Sequence, residues 1–550
     1  MNEQVSKIFN SKTNSFTSAA FLLGLSTALS GFLGLIRDRL LASHFGAGAS
    51  LDIYFAAFRI PDLVYGIVVA GGVGAAFLPL FSRAVKEKKD LEFANNFLNC
   101  LLVVLIFLVS FLLLFTPFFI EFITPGFSPV QKAKTCLLTR IILLSPIIFG
   151  ISAIFSGILQ YHQKFFAYCL APLLYNLGII LGILFLLPTF GLKGLGFGVI
   201  LGALFHLIIQ FLTAKSSGFR YLPIFNFSSP FMKKALKLMT PRTISQIITQ
   251  LNLIFINAMA STLASGSISI FNLSNNIHSL PLGIIGISWA TASFPFFSKS
   301  LASGSKEKFL KDFSSSLRQI LYLVVPSSAL LYIFRAQIIR LIYGAGRFAW
   351  WETRLTAASL GIFALALFAV SLVPLLLRAF FSFQDTKSPL IAGTVSVILN
   401  IIFCLVFIFY FSFENPFSNF FVRLLRLPGI SNFQVIALPL ALSLSQVFQF
   451  FFLFALFVKK FPLLDFKEIF NSLKKILVAT ILLIFFSYLG LKISANFFDT
   501  RTFFGLFLQT VLAGSLGISA YLLITTFLKS EEQKAIFSVF TRYKKFVRLN

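Results

Sequence analysis

The chain has 550 residues, 57% of them hydrophobic, with a mean hydropathy of +0.91 and a formal charge of +28. These values lie far outside the range of soluble globular domains and exclude one as the main body of the molecule. Apolar runs of about 20 residues recur throughout, each long enough to cross a hydrocarbon core of about 30 Å as a helix, without the alternation of membrane strands.

Fourteen spans are predicted, centred near Leu25, Val68, Val104, Ile148, Ile180, Leu204, Leu253, Ile285, Val324, Ala366, Val397, Ser443, Leu482 and Ala513. The longest connections, around residues 216–233 and 411–433, suit loops or short interfacial helices rather than a soluble domain. The fold class is therefore all-α and polytopic, with about 14 transmembrane helices. Residues 1–15 are polar and no small-residue cleavage site follows the first span, so that span is expected to be retained.

The first dense group of charges lies in residues 37–59. It reads Arg37-Asp38-Arg39, a Phe45-Gly46-Ala47-Gly48 turn, then Asp52, Tyr54 and Arg59-Ile60-Pro61-Asp62. A charge in or beside hydrocarbon costs several kcal/mol unless it meets a partner or a wet cavity. Arg39 is read as snorkelling to the interface, and Arg37-Asp38 as part of an internal pair. On one continuous helix Asp52 and Arg59 would be two turns apart on one face, with about 10.5 Å of rise between them. Arg59 suits a phosphate or carboxylate, and Asp52 is a candidate partner or proton site; a structural ion pair is the alternative. Gly66, Gly71, Gly72 and Gly74 in the second span permit close packing or bending.

An internal repeat is visible. Phe77-Leu78-Pro79-Leu80-Phe81-Ser82-Arg83 matches Phe294-Pro295-Phe296-Phe297-Ser298-Lys299, and residues 42–48 correspond to 260–266. Six spans separate the copies, so the halves would be parallel repeats related by an axis along the membrane normal. This predicts two pseudo-symmetric six-helix bundles, residues 1–215 and 216–465, then two extra spans within 466–528 and a basic tail at 529–550.

In the second half, Arg242, Gln246 and Gln250 form a polar stripe at four-residue steps on the seventh span. Arg242 is either a headgroup anchor or a group that captures an anionic ligand. The eighth span carries Asn272, Ser274, Asn275, Asn276 and His278, which require water, ligand or interhelical partners. Arg335, Arg340, Arg347 and Trp350-Trp351 read as an interfacial segment whose basicity runs against the general charge bias. Arg378-Ala379-Phe380-Phe381 and Gln384-Asp385-Thr386-Lys387-Ser388-Pro389 form a polar turn.

Cys100, Cys136, Cys169 and Cys404 stand singly in apolar runs and read as free buried thiols. The sequence carries no nucleotide-binding loop, HExxH, CxxC or GxSxG pattern, so no catalytic residue and no metal site is assigned. With the N-terminus and every second loop on one side, about 30 Lys and Arg fall on that side and about 14 on the other. Both termini are thus expected to be cytoplasmic, with anionic lipid rather than nucleic acid as the counter-charge.

Taken together, these residues resemble the MurJ (MviN) family, lipid II flippases of the multidrug/oligosaccharidyl-lipid/polysaccharide exporter superfamily. The resemblance rests on Leu33-Gly34-Leu35-Ile36-Arg37-Asp38, Phe45-Gly46-Ala47-Gly48, Asp52, Ala57-Phe58-Arg59-Ile60-Pro61, and Ala76-Phe77-Leu78-Pro79. It extends through Pro281-Leu282-Gly283-Ile284, Phe294-Pro295, Arg378-Ala379-Phe380-Phe381 and Asp385-Thr386-Lys387-Ser388-Pro389. It implies two pseudo-symmetric bundles, two extra helices that hold a lipid tail, and a cationic cavity for a diphosphate-sugar head.

It departs from the family pattern at three places. Gly31 follows Ser30 where the family has Arg, no Arg pair follows Asp62-Leu63, and Ser274-Asn275-Asn276-Ile277 replaces a run containing Arg. By motif match Arg37, Asp38, Asp52 and Arg59 inherit the cavity-site reading, and Arg242 compensates in part for the missing arginines.

The resemblance implies outward flipping of lipid II at the bacterial cytoplasmic membrane. Arg37, Arg59, Arg242, Asn275 and Asn276 would bind substrate, and Asp38 or Asp52 would couple to an ion or complete an ion pair. No cofactor is expected, the energy coming from a monovalent cation or the membrane potential. Expected partners are the lipid-linked oligosaccharide, anionic lipids at the cytoplasmic loops and cell-wall synthesis enzymes. The alternatives are export of another polyprenyl-linked glycan or amphiphile, and a non-transporting scaffold for cell-wall synthesis.

Overall fold

The computed structural model describes residues 16–430 and 432–537. Residues 1–15 and most of the basic tail, from 538 on, lie outside the described residues. Every regular element among the described residues is helical, as expected where hydrocarbon offers the backbone no hydrogen bonds. Twelve helices are long and apolar enough to cross a membrane. They match twelve of the fourteen expected spans one for one, from the span near Val104 to that near Ala513.

The other two expected spans fall on helix Phe16–Phe45 and on a broken rod running from Ala49 to Lys86. The rod comprises helices Ala49–Ala57 and Arg59–Val64, a π-helical stretch Tyr65–Val73, and helix Gly74–Lys86. Pro61 lacks an N–H, and its ring crowds the carbonyl four residues back, that of Ala57, so the first helix closes at Phe58. The single continuous helix expected around Asp52 and Arg59 is therefore two helices, and helical periodicity no longer sets their relative direction. The π-helical stretch coincides with Gly66, Gly71 and Gly72. Gln250 lies so close over Gly66 that a Cβ there would sit 2.8 Å from its Nε2.

The repeat is visible in these breaks. Helix starts at Ala49 and Ser267, π-helical starts at Tyr65 and Leu282, helix ends at Lys86 and Ala302, and following starts at Asp90 and Lys306 recur at offsets of 216 to 218 residues. An irregularity retained in both copies is more specific than apolar likeness.

Capping chemistry sets many helix starts. Ser128 and Gln131 form a capping box before Pro129, Ser229 caps the helix opened by Pro230, and Asn415 caps the helix opened by Pro416.

The chain forms two compact units. The first comprises residues 1–269 with Gly346–Phe348, the second the remainder. In the first, helices Phe165–Leu181 and Leu192–Lys215 approach backbone to backbone at Gly178 and Gly202 and pack alongside the former helix's extension at Gly182 and Gly198, where a Cβ would collide. Phe77 stacks on Phe81 and Phe93, and its ring fills the space over Gly157.

In the second unit Phe309, Phe313, Phe457 and Phe461 form one aromatic cluster. The last two spans, Phe466–Ser494 and Phe503–Phe527, pair at Gly490 against Ala513 and at Gly517 against Ser487. Tyr521 Oη donates to Tyr322 O at 2.7 Å and ties the hairpin to helix Lys306–Ile333. Arg318 of that helix holds Glu468 at 2.7 Å, Glu531 at 3.3 Å and Glu532 at 2.7 Å. Burial opposes the charge on Glu532, but hydrogen bonds from Ser530 and Ser472, with Arg318 beside it, bring it below the usual carboxylate range.

All four cysteines are free; Cys136 is half-buried and the other three are buried.

Candidate functional site

The first unit gathers the charges of residues 37–59 into a polar cluster. Near the end of helix Phe16–Phe45, Arg37 grips Asp38, with Nη2 and Nε at 2.8 and 2.9 Å from Oδ1. Asp38 is 1% exposed, so its charge depends on this partner. The third arm of the guanidinium, Nη1, donates to Asn176 Oδ1 at 3.1 Å. The Asn176 amide in turn donates to Ser30 O and Oγ, both at 3.2 Å, which locks helices Phe16–Phe45 and Phe165–Leu181 together. Tyr54 and Tyr175 stand within electrostatic reach of Arg37.

Arg59 is buried and held by an amide. Its Nε donates to Asn257 Oδ1 at 3.3 Å, while Asn257 Nδ2 donates to Ile123 O at 3.0 Å. That carbonyl ends helix Asp90–Ile123 and would otherwise lack an intrahelical donor. Asp62, partly buried, lies in the field of Arg59 and of Tyr54, Tyr65 and Tyr175. Asp62 is thus within electrostatic range of Arg59 and of the tyrosines that stand near Arg37.

Asp52 has a different surrounding. Its carboxylate accepts from Gly266 N at 2.6 Å, Ser269 N at 2.8 Å and Ser269 Oγ at 2.6 Å. It thereby satisfies donors at the start of helix Ser267–Pro281, where backbone N–H groups and the helix dipole favour an anion. Gly266 has φ +95, and a side chain there would strike Ala47 O, so the turn that meets Asp52 requires glycine.

Arg242 is exposed. It lies fifteen residues before Asn257 on helix Pro230–Ser261, about 22 Å along the axis, so the amide that holds Arg59 is far from it. In the second unit Asn275 and Asn276 are partly buried. His278 stacks on Phe363 at 5.1 Å between ring centroids, and its buried Nε2 has no hydrogen-bond partner.

Beside the Arg37 cluster lies a cavity of about 390 Å³, lined by Ser26, Ser30, Tyr65, Tyr168, His206 and Gln210 among others. Ser30 belongs to both, because it accepts from the Asn176 that holds Arg37. Ser152 Oγ lies 2.8 Å from His206 Nδ1, and Ser152 and Ser156 donate to Gln210 Oε1 at 3.0 and 2.6 Å. Its polar lining is hydroxyl, amide and imidazole, without Asp, Glu, Lys or Arg, beside apolar groups such as Val69 and Phe149. A lining of this kind suits neutral polyhydroxylated or amide groups, beside a cationic cluster suited to an anion.

Asn176 and Asn257, which position the two arginines, were not singled out in the sequence. Their one signal is an amide within an otherwise apolar helical run, a place where unpaired polar groups are costly.

A multi-pass helical bundle with an internal repeat and a buried polar cluster defines a membrane transporter of the multidrug/oligosaccharidyl-lipid/polysaccharide type. A solved inward-facing multidrug resistance MATE family transporter of the MOP superfamily shares this fold, with TM-score 0.65, 15% identity, and coverage of 81% of this chain and 98% of that one. The family described as lipid II flippase MurJ matches residues 41–509, and the chain belongs to that family.

Among relatives, a probable lipid II flippase MurJ of Buchnera aphidicola subsp. Schizaphis graminum is 30% identical over 479 residues, 85% of this chain and 88% of the relative. One from Rickettsia prowazekii is 29% identical over 391 residues, 70% of this chain and 76% of the relative. A solved lipid II flippase MurJ in an inward closed conformation aligns with TM-score 0.72 and 26% identity, covering 92% of this chain and 98% of that one.

Proposed function

We propose that this protein flips lipid II from the inner to the outer leaflet of the cytoplasmic membrane by alternating access. The observation that carries this reading is the family match over residues 41–509, joined to a solved flippase that covers 92% of the chain. The protein acts as a transporter and makes or breaks no bond in its cargo. In this reading both termini are cytoplasmic, as the bias of Lys and Arg among the loops requires.

Substrate capture is divided between charge and neutral polarity. Arg59, whose Nε donates to the Asn257 amide, carries a guanidinium fork suited to a diphosphate. Arg37 is gripped by Asp38 and orders the cluster, while the adjoining cavity of hydroxyls and amides accepts the uncharged part of the headgroup. Arg242, exposed on its helix, receives the headgroup before it reaches Arg59, and Asn275 and Asn276 offer further amide groups to the substrate. Asp62, within electrostatic range of Arg59, joins Asp38 and Asp52 as a group able to couple the cycle to a monovalent cation or the membrane potential. Anionic lipids meet the basic loops, and cell-wall synthesis enzymes are its neighbours.

The test is complementation of a flippase-depleted bacterium. The wild-type chain restores growth, and Arg59→Ala, although inserted at normal levels, fails. Normal growth with Arg59→Ala overturns the role of Arg59, whereas failure of the wild-type chain overturns the transport reading itself.

A further inference from the structure

The arginines at 335–354, which run against the charge bias of the loops, have no part in the cluster just described. Two of them, Arg335 and Arg354, line a cavity of about 500 Å³ in the second unit, with Arg426 as a third cation. That volume falls within the range of small-ligand sites, about 300–1,000 Å³. Its lining includes Tyr332, Gln337 and Tyr488 but neither Asp nor Glu. Among the described residues, the ion pairs at 4.0 Å or less involve none of these three arginines.

Each arginine is positioned without being neutralised. Arg335 Nη1 donates to Tyr332 O at 2.6 Å, and its Cζ lies 4.5 Å from the Tyr332 ring centroid. Gly361 leaves room for this side chain, since a Cβ there would sit 2.9 Å from Arg335 Cδ. Arg354 lies 4.5 Å over the Trp350 ring and donates to Arg426 O.

Arg426 follows helix Pro416–Leu424 with φ +57, a left-handed conformation that favours glycine. Its N–H bonds to Arg423 O at 3.2 Å and that of Leu427 to Val422 O at 2.8 Å, a Schellman closure with arginine in glycine's customary place. Burial, with Arg426 as a like charge nearby, works against the charge on Arg335. Carbonyls and ring faces orient the Arg335 and Arg354 guanidinium groups but supply no full negative charge. The amide oxygen of Gln337 is buried without a donor; turned over, the same amide offers two N–H groups to an anion.

We propose that the pocket of Arg335, Arg354 and Arg426 binds a phosphate-bearing anion, carried by a lipid headgroup. Three donor forks around one cavity match the geometry of phosphate oxygens. Tyr488, which lines the pocket, continues a strip with Ile481 and Phe485 on one face of helix Phe466–Ser494, all well exposed. A lipid chain can lie along that strip while its phosphate sits among the arginines. The site shares no residue with the Arg37–Arg59 cluster, and the proposal does not depend on the transported substrate.

The test uses the full-length protein in detergent and native mass spectrometry with dioctanoyl phosphatidylglycerol, dioctanoyl phosphatidylcholine and inorganic pyrophosphate. The wild-type chain is expected to bind phosphatidylglycerol about tenfold or more tightly than Arg335→Gln/Arg426→Gln, with a smaller difference for phosphatidylcholine. Pyrophosphate binding that the double variant loses, without selective phosphatidylglycerol binding, supports the phosphate site and assigns it a soluble source. Equal phosphatidylglycerol and pyrophosphate binding by wild type and variant overturns the proposal. Gly361→Ala keeps every charge but presses on Arg335, and covers the case in which the double variant does not fold. Weaker phosphatidylglycerol binding by Gly361→Ala then supports the site, and unchanged binding overturns it.

Discussion

Two groups of arginines in this molecule are treated in opposite ways. In the first unit Arg37 is gripped by the buried Asp38 and fastened to Asn176. In the second, Arg335, Arg354 and Arg426 line a cavity, and Arg335 and Arg354 are held by carbonyls and rings. A membrane protein must compensate a buried charge. Where the chain supplies the anion, the arginine mainly fixes helices; where it supplies only orientation, the charge remains available to a ligand. Arg59 stands between these cases, bonded to an amide with Asp62 in electrostatic range.

That comparison can be broken most forcefully at Asp38. Asp38→Ala leaves the half-buried Arg37 without its anion and is expected to cost up to about 3 kcal/mol, read as a fall in the detergent melting temperature. Arg37→Met/Asp38→Leu should recover most of that loss, since a well-packed apolar pair commonly replaces a buried ion pair without net cost. A double variant no more stable than Asp38→Ala would show that Arg37 has a second structural role.

A smaller effect is expected at Asp52. Asp52→Ala orphans the N–H groups of Gly266 and Ser269 and should cost about 1–3 kcal/mol, seen as faster amide exchange at the start of helix Ser267–Pro281. Ser269→Ala removes one of three donors and should do less. An unchanged exchange pattern in Asp52→Ala would overturn its part in holding the start of that helix.

The smallest effect sharpens the contrast with Arg318, a cation paired with three glutamates. The folded protein holds Glu532 below the ordinary carboxylate range, so its contribution is present at neutral pH. It should be lost as the pH falls below about 4.3, the usual glutamate value, through the depressed folded value. Exchange across residues 530–537 should then quicken, and the change should vanish in Glu532→Gln. Quickening near pH 6 instead would point to a different group.

Much of the architecture was legible because length and apolarity are local properties. Twelve spans agree with the structure because each contains an apolar helical run long enough to cross a membrane. The rod near Val68 was misread as one helix because Pro61 and a glycine-rich π-helical stretch interrupt it. The Arg37-Asp38 pair was legible as neighbouring opposite charges. Asn176 and Asn257 were not, because they reach their arginines across 139 and 198 residues of chain. Nor did residues 335–354 predict Arg426, whose place beside them depends on how helix Pro416–Leu424 ends.

The sequence by itself determined that the protein spans a membrane as a repeated helical array, because hydrocarbon thickness and backbone hydrogen bonding leave few alternatives. Tertiary structure alone decided which charges meet an acid, an amide or an open cavity. Burial of a charge is sensed only where helices distant in sequence come together, and the nearest partner there separates a structural arginine from one open to a ligand.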